Sequence, residues 1–493
     1  MVQLGAAGAA LLLPRAVIPA QEMDTFRLGE WTGDSFAPMH AIRDGKWSRP
    51  LPAPERRVEV VVIGCGIAGL AAASMLDDLD LVMLEREAEP GGNAKSGNWR
   101  GVDYALGSAY FVDVSETFGK FYDRIGVVPR RVPEPTDRMS TGGLHSPDAL
   151  EGELHKPFAE LRKHLGAVAA GPDFPKIPVG EATDSALALD RISFLDYLKQ
   201  QHVDPGLFGL IDAYCYSSFS AGACEVSAYA GVNFYSEIAS SIYAFPGGNA
   251  VLARTMANRI SRAGTGRIVT GAAVFAVEPA EDGLARVGWF DAAQPGEPRC
   301  IAARWVVIAA PFFFAGRILR GIDPKVAAAM TGLSQGSYLV ANCCFEGQVA
   351  ASAYDSWTPG NAVFTDVVDA AATLSAAARP ADHTVLTVYA PFRDPAQGRN
   401  LLLAGDRMAL ANPVVAGLKR FLPDAFANAR LAEVRLTRWG HQHLIPRPGM
   451  IVQMCAMPKR FGNVLLAHSD GQGMPAVESA IAEALRAAAV IRG

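Results

Sequence analysis

A glycine-rich turn and a later acidic residue carry the clearest chemistry in the sequence. The turn reads Gly64-Cys65-Gly66-Ile67-Ala68-Gly69, and Glu85 follows its first glycine by 21 residues. In such a turn the first glycine permits a tight bend, the second lets the backbone approach a pyrophosphate, and the third lets a helix pack on a strand. A carboxylate at this separation accepts hydrogen bonds from ribose hydroxyls. The pattern predicts a dinucleotide site formed by the whole turn, Ile67 and Ala68 included, and by Glu85.

The elements that must position this turn are also visible in the sequence. Residues 58–63 are a β-branched run of strand length that leads into the turn, and residues 70–76 are helix-forming. A second apolar run at residues 79–84 ends at Glu85. Strand, turn and helix in this order place the positive end of the helix dipole against the phosphates. The motif by itself does not separate NAD from FAD.

Two further segments carry a resemblance to a known superfamily. Gly91-Gly92-Asn93 follows the acidic residue, and Ala105-Leu106-Gly107-Ser108-Ala109-Tyr110-Phe111 comes next. With these motifs the sequence resembles the flavoproteins that include amine oxidases, protoporphyrinogen oxidases and phytoene desaturases, although Asn93 stands where that superfamily usually has Arg. The resemblance implies FAD as the cofactor. It assigns these residues to FAD: Arg86, Gly91, Gly92, Asn93, Gly107, Ser108, Ala109 and Tyr110.

The C-terminal part of the chain carries the second half of the resemblance. Residues 463–467 predict a closing strand and residues 476–490 an Ala-rich helix. The superfamily places the segment between them beside FAD, which implies contacts from Asp470, Met474, Pro475 and Ala476. A strand and helix that only complete the sheet are the alternative. Residues 267–274 resemble the strand that gives a backbone contact to adenine, near Val274.

These segments together predict the fold and its division into domains. We expect an α/β protein in which a Rossmann-like FAD-binding domain of the glutathione reductase type is interleaved with an α+β substrate-binding domain. The expected boundaries are 1–20 for a signal-like segment, 21–55 for an N-terminal arm or linker, 56–115, 245–330 and 455–493 for the FAD-binding domain, and 116–244 and 331–454 for the substrate-binding domain.

Several residues are candidates for catalysis. The resemblance brings Trp439, His441 and His443 close to the substrate, and it puts Gln472 where amine oxidases often place an aromatic ring. Imidazole titrates near neutrality, so either histidine could orient a polar substrate or take a proton. Structural histidines and a metal-binding pair are the alternatives, but no third ligand is spaced to complete a metal site. We therefore expect no metal. The lysine that these amine oxidases commonly hold near flavin N5 is missing from residues 337–342, which argues against rapid use of oxygen.

The predicted activity is that of an FAD-dependent oxidoreductase. It would remove two electrons, as a hydride equivalent, from a small or medium organic substrate, and C–N oxidation of an amine or amino acid is preferred. The first alternative is C–C desaturation of an isoprenoid or porphyrinogen-like molecule. The second is a flavin-binding protein without turnover that serves a structural or docking role. The electron acceptor, O2 or another, and the oligomeric state stay open.

Composition excludes other classes of function. The chain has 493 residues, and its 45 Lys and Arg against 50 Asp and Glu give a net charge of -5. We find no basic stripe that could neutralise successive phosphates, so nucleic acid is not an expected partner. The seven cysteines form no CxxC pair, so neither a zinc site nor a dense disulfide framework is expected. No transmembrane span is expected, because one needs about 20 apolar residues.

The first 20 residues resemble an export signal. Residues 4–13 are an apolar run rich in Ala and Gly, and small residues follow it. A basic region before the run is missing, which is consistent with a twin-arginine-like leader truncated by a start codon placed too late. The pattern favours a periplasmic or exported protein. The alternative is a short helix that lies on a cytoplasmic protein.

Overall fold

The computed structural model describes residues 26–133, 136–140, 144–145, 152–239, 241–264, 266–279, 283–349 and 353–493. The expected export signal at residues 1–20 and the first residues of the expected arm lie outside these ranges. No helix of the described part is both long and apolar enough to cross a bilayer.

The described residues form strands and helices with the following bounds. The strands are β1 Arg27–Leu28, β2 Thr32–Gly33, β3 Arg56–Ile63, β4 Leu81–Leu84, β5 Ser96–Trp99, β6 Val102–Ala105, β7 Tyr110–Phe111, β8 Asp137–Ser140, β9 Leu144–His145, β10 Tyr243–Ala244, β11 Gly266–Val269, β12 Ala272–Pro279, β13 Ala285–Asp291, β14 Arg299–Ile308, β15 Tyr338–Glu346, β16 Asp355–Trp357, β17 Asp366–Asp369, β18 His383–Pro391, β19 Arg430–Trp439, β20 Arg460–Phe461 and β21 Val464–Leu466. The helices are α1 Ala37–Arg43, α2 Ile67–Met75, α3 Glu116–Ile125, α4 His155–Ala169, α5 Asp184–Ala188, α6 Phe194–Gln200, α7 Phe208–Phe219, α8 Ala228–Tyr235, α9 Ala250–Ala263, α10 Phe312–Ile318, α11 Pro324–Thr331, α12 Pro395–Ala404, α13 Arg407–Phe421, α14 Pro423–Asn428, α15 Met450–Ala456 and α16 Val477–Arg492.

The first sheet has a Rossmann-like topology. Strands β11, β4, β3, β14 and β21 are parallel neighbours in that order, and β12 and β13 join β14 as an antiparallel meander. Helices α2, α9 and α16 cover one face, and α10 and α11 cover the other. Because both faces are covered, the second half of β3, residues 60–63, is a buried run of valines and isoleucine without alternation. The predicted α/β fold class is confirmed.

One predicted strand is two strands in the structure. Residues 267–274 do not run straight through: β11 ends at Val269, and β12 begins at Ala272 in the antiparallel meander. Gly271 lies between them with a φ of +67°, a backbone conformation that favours glycine. Val274, the expected adenine contact, therefore belongs to the meander and not to the parallel strand.

The second sheet lies over the other side of the cavity described below. Its order is β1-β19-β15-β18-β17-β16-β8-β9, with β2 also paired to β19. Helices α13 and α14 pack on one face of this sheet through a core of aliphatic side chains. Apart from β1 and β2, its strands come from residues 116–244 and 331–454. The chain therefore crosses between the two sheets several times.

Residues 26–55, here called the arm, connect both sheets. Strands β1 and β2 lie parallel to β19 at the edge of the second sheet. Further along, Trp47 stacks on Phe290 of the first sheet, with ring centroids 3.7 Å apart and an angle of 2° between the planes. Trp47 is 7% exposed and also contacts Phe275. The arm is thus anchored at both ends.

We expect Trp47→Ala to lower the free energy of unfolding by about 3 kcal/mol, because a buried indole that packs on two rings leaves a cavity when it is removed. Chemical denaturation followed by near-UV circular dichroism measures the change. Lys46→Gln, at the exposed neighbouring position, is the control and should change stability by less than about 0.5 kcal/mol. Equal stabilities for the two variants would contradict the proposed anchor.

Candidate cofactor and substrate site

A cavity of about 1270 Å³ is lined by residues of both sheets and of the arm. Most residues predicted for the site line this cavity. They are Gly64, Gly66, Ile67, Ala68, Glu85, Arg86, Gly92, Asn93, Gly107, Ser108, Ala109, Tyr110, Val274, Trp439, His441, His443, Pro475 and Ala476. Five predicted residues do not line it: Gly69, Gly91, Asp470, Gln472 and Met474.

The glycine turn brings backbone to backbone at the carboxyl end of β3. Gly64 has a φ of +96°, and a Cβ there would lie 2.8 Å from the carbonyl oxygen of Ala309. A Cβ on Gly69 would collide with the carbonyl oxygen of Gly64. These two glycines are therefore required by packing, and the turn that they permit directs the N-terminus of α2 into the cavity.

Gly66 has a different role, because a Cβ there would make only an ordinary van der Waals contact. A Cβ on Gly66 would meet no atom nearer than the Cα of Gly92, at 3.8 Å, and both glycines line the cavity. Gly66 also precedes α2 without any side-chain cap, so the amides of the first turn are free to bind an anion. The two glycines, here called the glycine cradle, present backbone without side chains to the cavity, so a phosphate can approach them closely.

Glu85 is held in place by two backbone amides. Its Oε2 accepts from Cys65 N at 2.7 Å, and its Oε1 accepts from Glu87 N at 2.9 Å. The side chain is buried but lines the cavity. Because each carboxylate oxygen can accept two hydrogen bonds, both retain capacity for a ribose hydroxyl. The geometry fits the predicted role of this acid.

The segment from Gly107 to Tyr110 is fixed from the side of the second sheet. Tyr389 donates its hydroxyl to Gly107 O at 2.8 Å, and Trp439 donates its indole N–H to Leu106 O at 2.8 Å. A Cβ on Gly107 would lie 2.5 Å from Asn93 O, so the two glycine-containing segments touch. Trp439 lines the cavity, but its polar atom is already used to hold this segment.

Three predicted residues lie behind the cavity wall. Asp470 is 1% exposed, and its Oδ2 accepts from Phe312 N at 2.8 Å, at the start of α10. Gln472 accepts from Val179 N at 2.8 Å and donates to Glu483 at 2.5 Å, so both ends of its amide are used inside the protein. Met474 is fully buried among apolar residues. Their assignment to cofactor or catalysis stays a prediction, and these contacts give them structural partners.

The two histidines differ in their surroundings. Burial lowers the pKa of His441 to about 4, with the charge of Arg399 acting in the same direction, and its ring stacks on Phe313 at 4.8 Å. Burial also lowers the pKa of His443 to about 4. His443 Nε2 has no hydrogen-bond partner among the described residues. Both rings are therefore neutral at pH 7, and both residues line the cavity.

No metal site accompanies these histidines in the described residues, where no group of three His, Cys, Asp or Glu side chains is arranged to hold a metal ion. The buried ring of His443 lies with Nδ1 3.3 Å from Leu444 O. A proton on Nδ1 would leave Nε2 as a bare acceptor.

An acidic wall, formed by Glu237, Asp355 and Asp366, was missed by sequence reasoning. All three line the cavity. Burial raises the pKa of Glu237 to about 8, with repulsion from Asp137 adding to it. Burial also raises the pKa of Asp366, and burial and repulsion from Asp366 raise that of Asp355. The three acids come from distant parts of the chain, so no spacing motif announces them.

Two acids of the acidic wall accept hydrogen bonds from neighbouring hydroxyl groups, whereas one oxygen of the third has no described partner. Glu237 Oε1 accepts from Tyr110 at 3.0 Å, and Asp366 Oδ1 accepts from Thr365 at 2.5 Å. Asp355 is 2% exposed, and its Oδ1 has no partner among the described residues. The charged neighbours that act most strongly on it are all acids. A buried carboxylate in such a place is stabilised by a cation that enters the cavity.

Comparison with known proteins agrees with the predicted fold. The family model of the NAD(P)-binding Rossmann-like domain matches residues 62–125, which confirms the dinucleotide-binding motif. The oxidoreductase PigB of Serratia sp. (strain ATCC 39006) is 22% identical over 346 residues. The match covers 58% of this chain and 51% of PigB, so the chain spans about half the length of this curated relative.

Solved structures match this chain over a larger share of its length than PigB does. Cyclohexylamine oxidase from Brevibacterium oxydans has a TM-score of 0.66 and 19% identity, over 88% of this chain and 98% of that one. Putrescine oxidase bound to putrescine has a TM-score of 0.66 and 17% identity, over 88% of this chain and 99% of that one. The chain therefore shares its fold with cyclohexylamine oxidase and putrescine oxidase, and this is the fold that the resemblance in its motifs implies.

We expect Gly66→Val to weaken FAD binding at least about tenfold, because the added methyl groups enter the cradle opposite Gly92. Titration of the apoprotein with FAD, followed by flavin fluorescence, measures the affinity. Gly209→Val is the control, since a Cβ at this exposed site of α7 meets no atom within 4 Å. A Gly66→Val protein that purifies with a full complement of FAD would show that the cradle is misassigned.

The lowered pKa of His443 predicts a stability change with pH. Below pH 6.5 the unfolded chain binds a proton that the folded protein excludes until about pH 4, so stability is lost as the pH falls through this window. Relative to His443→Gln, the wild type should lose about 3 kcal/mol of unfolding free energy between pH 6.5 and 4. Denaturation at several pH values tests this. His202→Gln, at an exposed site, should follow the wild type, and parallel curves for all three proteins would refute the expectation.

Proposed function

We propose that the protein is an FAD-dependent oxidoreductase that oxidises the C–N bond of an amine or amino acid. The glycine cradle, Glu85 and the fold of the flavin amine oxidase superfamily support FAD as the dinucleotide. FAD would supply the acceptor for the hydride equivalent. The acidic wall is the observation that favours an amine as the donor.

The chain offers a contact for each part of FAD. The first turn of α2, with Gly66, Ile67 and Ala68, would face the diphosphate, and Glu85 would accept from the ribose hydroxyls. Val274 would lie against the adenine. The segment from Gly107 to Tyr110, held at Gly107 by Tyr389, would lie against the flavin ring. Asn93, in place of the usual Arg, would contribute an amide rather than a charge.

The acidic wall would bind the substrate by its charge. An aliphatic amine is a cation at neutral pH, and a buried carboxylate attracts it strongly because little water screens the interaction. Glu237, Asp355 and Asp366 retain protons when the cavity holds no cation, and an ammonium group would favour their ionised forms. Amine binding would therefore release protons.

His443 would orient the amine group of the substrate. Its ring is neutral and lines the cavity, and its buried Nε2 has no partner among the described residues. A neutral imidazole nitrogen accepts a hydrogen bond from an ammonium group. The proton itself would pass to a carboxylate of the acidic wall, whose raised pKa makes it the stronger base, and this leaves the amine lone pair free for oxidation. His441 stacks on Phe313, and we assign it to the cavity wall.

The acidic wall opposes the main alternative. An apolar isoprenoid would bring no charge to balance the three buried acids, and a porphyrinogen that carries carboxylates would be repelled by them. An anaerobic reduction screen of the purified holoprotein distinguishes the possibilities. Bleaching of the flavin by amines or amino acids supports the proposal, bleaching only by polyenes or porphyrinogens supports desaturation, and bleaching only by dithionite indicates a protein without turnover. The acceptor, O2 or another, follows from reoxidation in air.

We expect Asp355→Asn to raise the Kd for a reducing amine at least about tenfold, because the substitution removes an ionisable oxygen that no described residue bonds. Anaerobic titration of the flavin spectrum measures the Kd. For the wild type the Kd should fall as the pH rises from 6 to 9, since the acids must ionise to bind the cation. Asp123→Asn, at an exposed position of α3, is the control. An unchanged Kd in Asp355→Asn would place the amine elsewhere.

We also propose that the protein is exported, on the evidence of the apolar run at residues 4–13. Cell fractionation and N-terminal sequencing of the protein from its native host test this. A mature chain that begins near Gln21 outside the cytoplasm supports export, and a full-length cytoplasmic chain contradicts it.

A further inference from the structure

The arm passes directly beside the end of the strand that carries the ribose acid. Between its anchors on β19 and Phe290, Asp34 and Ser35 lie against Arg86 and Glu87, the two residues that follow Glu85. Arg86 Nη2 donates to Asp34 Oδ1 at 3.0 Å, and Ser35 donates its backbone N–H and its hydroxyl to Glu87 at 2.9–3.1 Å. The arm is therefore bonded to the nucleotide side of the first sheet, and not only to its periphery.

Asp34 connects three separate parts of the protein. Its Oδ2 accepts from Gly440 N at 3.0 Å, just after β19, while Oδ1 accepts from Arg86 after β4. Its side chain is 14% exposed. One carboxylate thus holds the arm against both sheets at the rim of the cavity. Arg86 pairs with both Asp34 and Glu87 and lines the cavity, so it forms part of this wall.

The arm also supplies cavity wall. Asp34, Ser35, Phe36, Met39, His40 and Arg43 line the same cavity as the glycine turn and Glu85. Helix α1 packs against β12, the strand of Val274. Glu87 completes the connection, because its carbonyl oxygen accepts from Gly271 N at 3.0 Å while its side chain bonds Ser35. The arm, Glu85 and the start of β12 enclose one end of the cavity.

We infer that the arm is part of the nucleotide site and encloses the adenosine half of FAD. This inference rests on the proposed FAD-dependent function. In a Rossmann-like site the ribose acid ends its strand at the sheet edge, and the adenosine extends outward past that acid. In this protein, the outward side is occupied by the arm and by the residues that it bonds. FAD release would then require the bonds of Asp34 and Ser35 to open.

The test uses the double variant Asp34→Asn, Ser35→Ala, purified as holoprotein. FAD release after dilution is followed by the rise in free-flavin fluorescence. ADP and FMN are titrated separately into the apoproteins as probes for the two halves of FAD. We expect FAD release at least about tenfold faster and ADP binding at least about tenfold weaker, with FMN affinity unchanged. Circular dichroism confirms that the variant is folded.

Two further variants keep the test decisive. Arg27→Gln removes the ion pair of the arm with Glu433 outside the cavity, and it should release FAD at the wild-type rate. His40→Ala removes a cavity-lining ring whose described contact is stacking on Phe36. His40→Ala replaces the double variant in the test if the double variant does not fold, and it should also weaken ADP binding.

Each outcome has a separate meaning. A wild type that binds neither FAD nor ADP overturns both the proposed function and the inference. A wild type that binds FAD, with double-variant and His40→Ala rates equal to those of Arg27→Gln, overturns the inference alone. An equal loss of ADP and FMN affinity also overturns it, because the effect would then not be specific for adenosine. A holoprotein that no amine reduces overturns the proposed substrate and leaves the result for the arm standing.

Discussion

The close approach of backbones at the glycine turn is the constraint on which the rest of the structure depends. Gly69 lies so near the carbonyl of Gly64 that no side chain fits between them, and Gly64 is pressed in turn against Ala309. This contact seats α2 on the parallel strands and directs its N-terminus at Gly66 and Gly92. The second sheet, the arm and the acidic wall are all arranged around the cavity that begins there.

Charge is distributed unevenly around that cavity. The glycine turn presents uncapped amides of a helix N-terminus, which suit an anion, whereas the wall of Glu237, Asp355 and Asp366 suits a cation. Burial strengthens both preferences because water does not screen them. It also keeps His443 neutral and the acids partly protonated in the absence of a cation. The same cavity can therefore hold a dinucleotide phosphate at the amides and an ammonium group at the acidic wall. The amides do not attract the cation, and the acids do not attract the phosphate.

The sequence predicted best where chemistry is local. The turn from Gly64 to Gly69 and its acid at Glu85 are close in the chain, and strand, turn and helix follow from neighbouring residues. Prediction was poorer where a residue type fits several surroundings. Gln472 is bonded on both sides behind the wall, and Asp470 caps the start of α10. The sequence of residues 267–274 predicted a single strand, because one glycine does not indicate a change from parallel to antiparallel pairing.

By itself the sequence determined that a dinucleotide motif of this type exists, because the turn needs glycine at fixed positions and the acid at a fixed distance along the chain. Only the tertiary structure decided what surrounds it. Asp355 and Asp366 sit on neighbouring strands, and Glu237 joins them from a distant helical segment. The arm became a wall because β19 and Phe290 hold its two ends on either side of the cavity. Such long-range pairings depend on the packing of whole sheets, and no spacing along the chain encodes them.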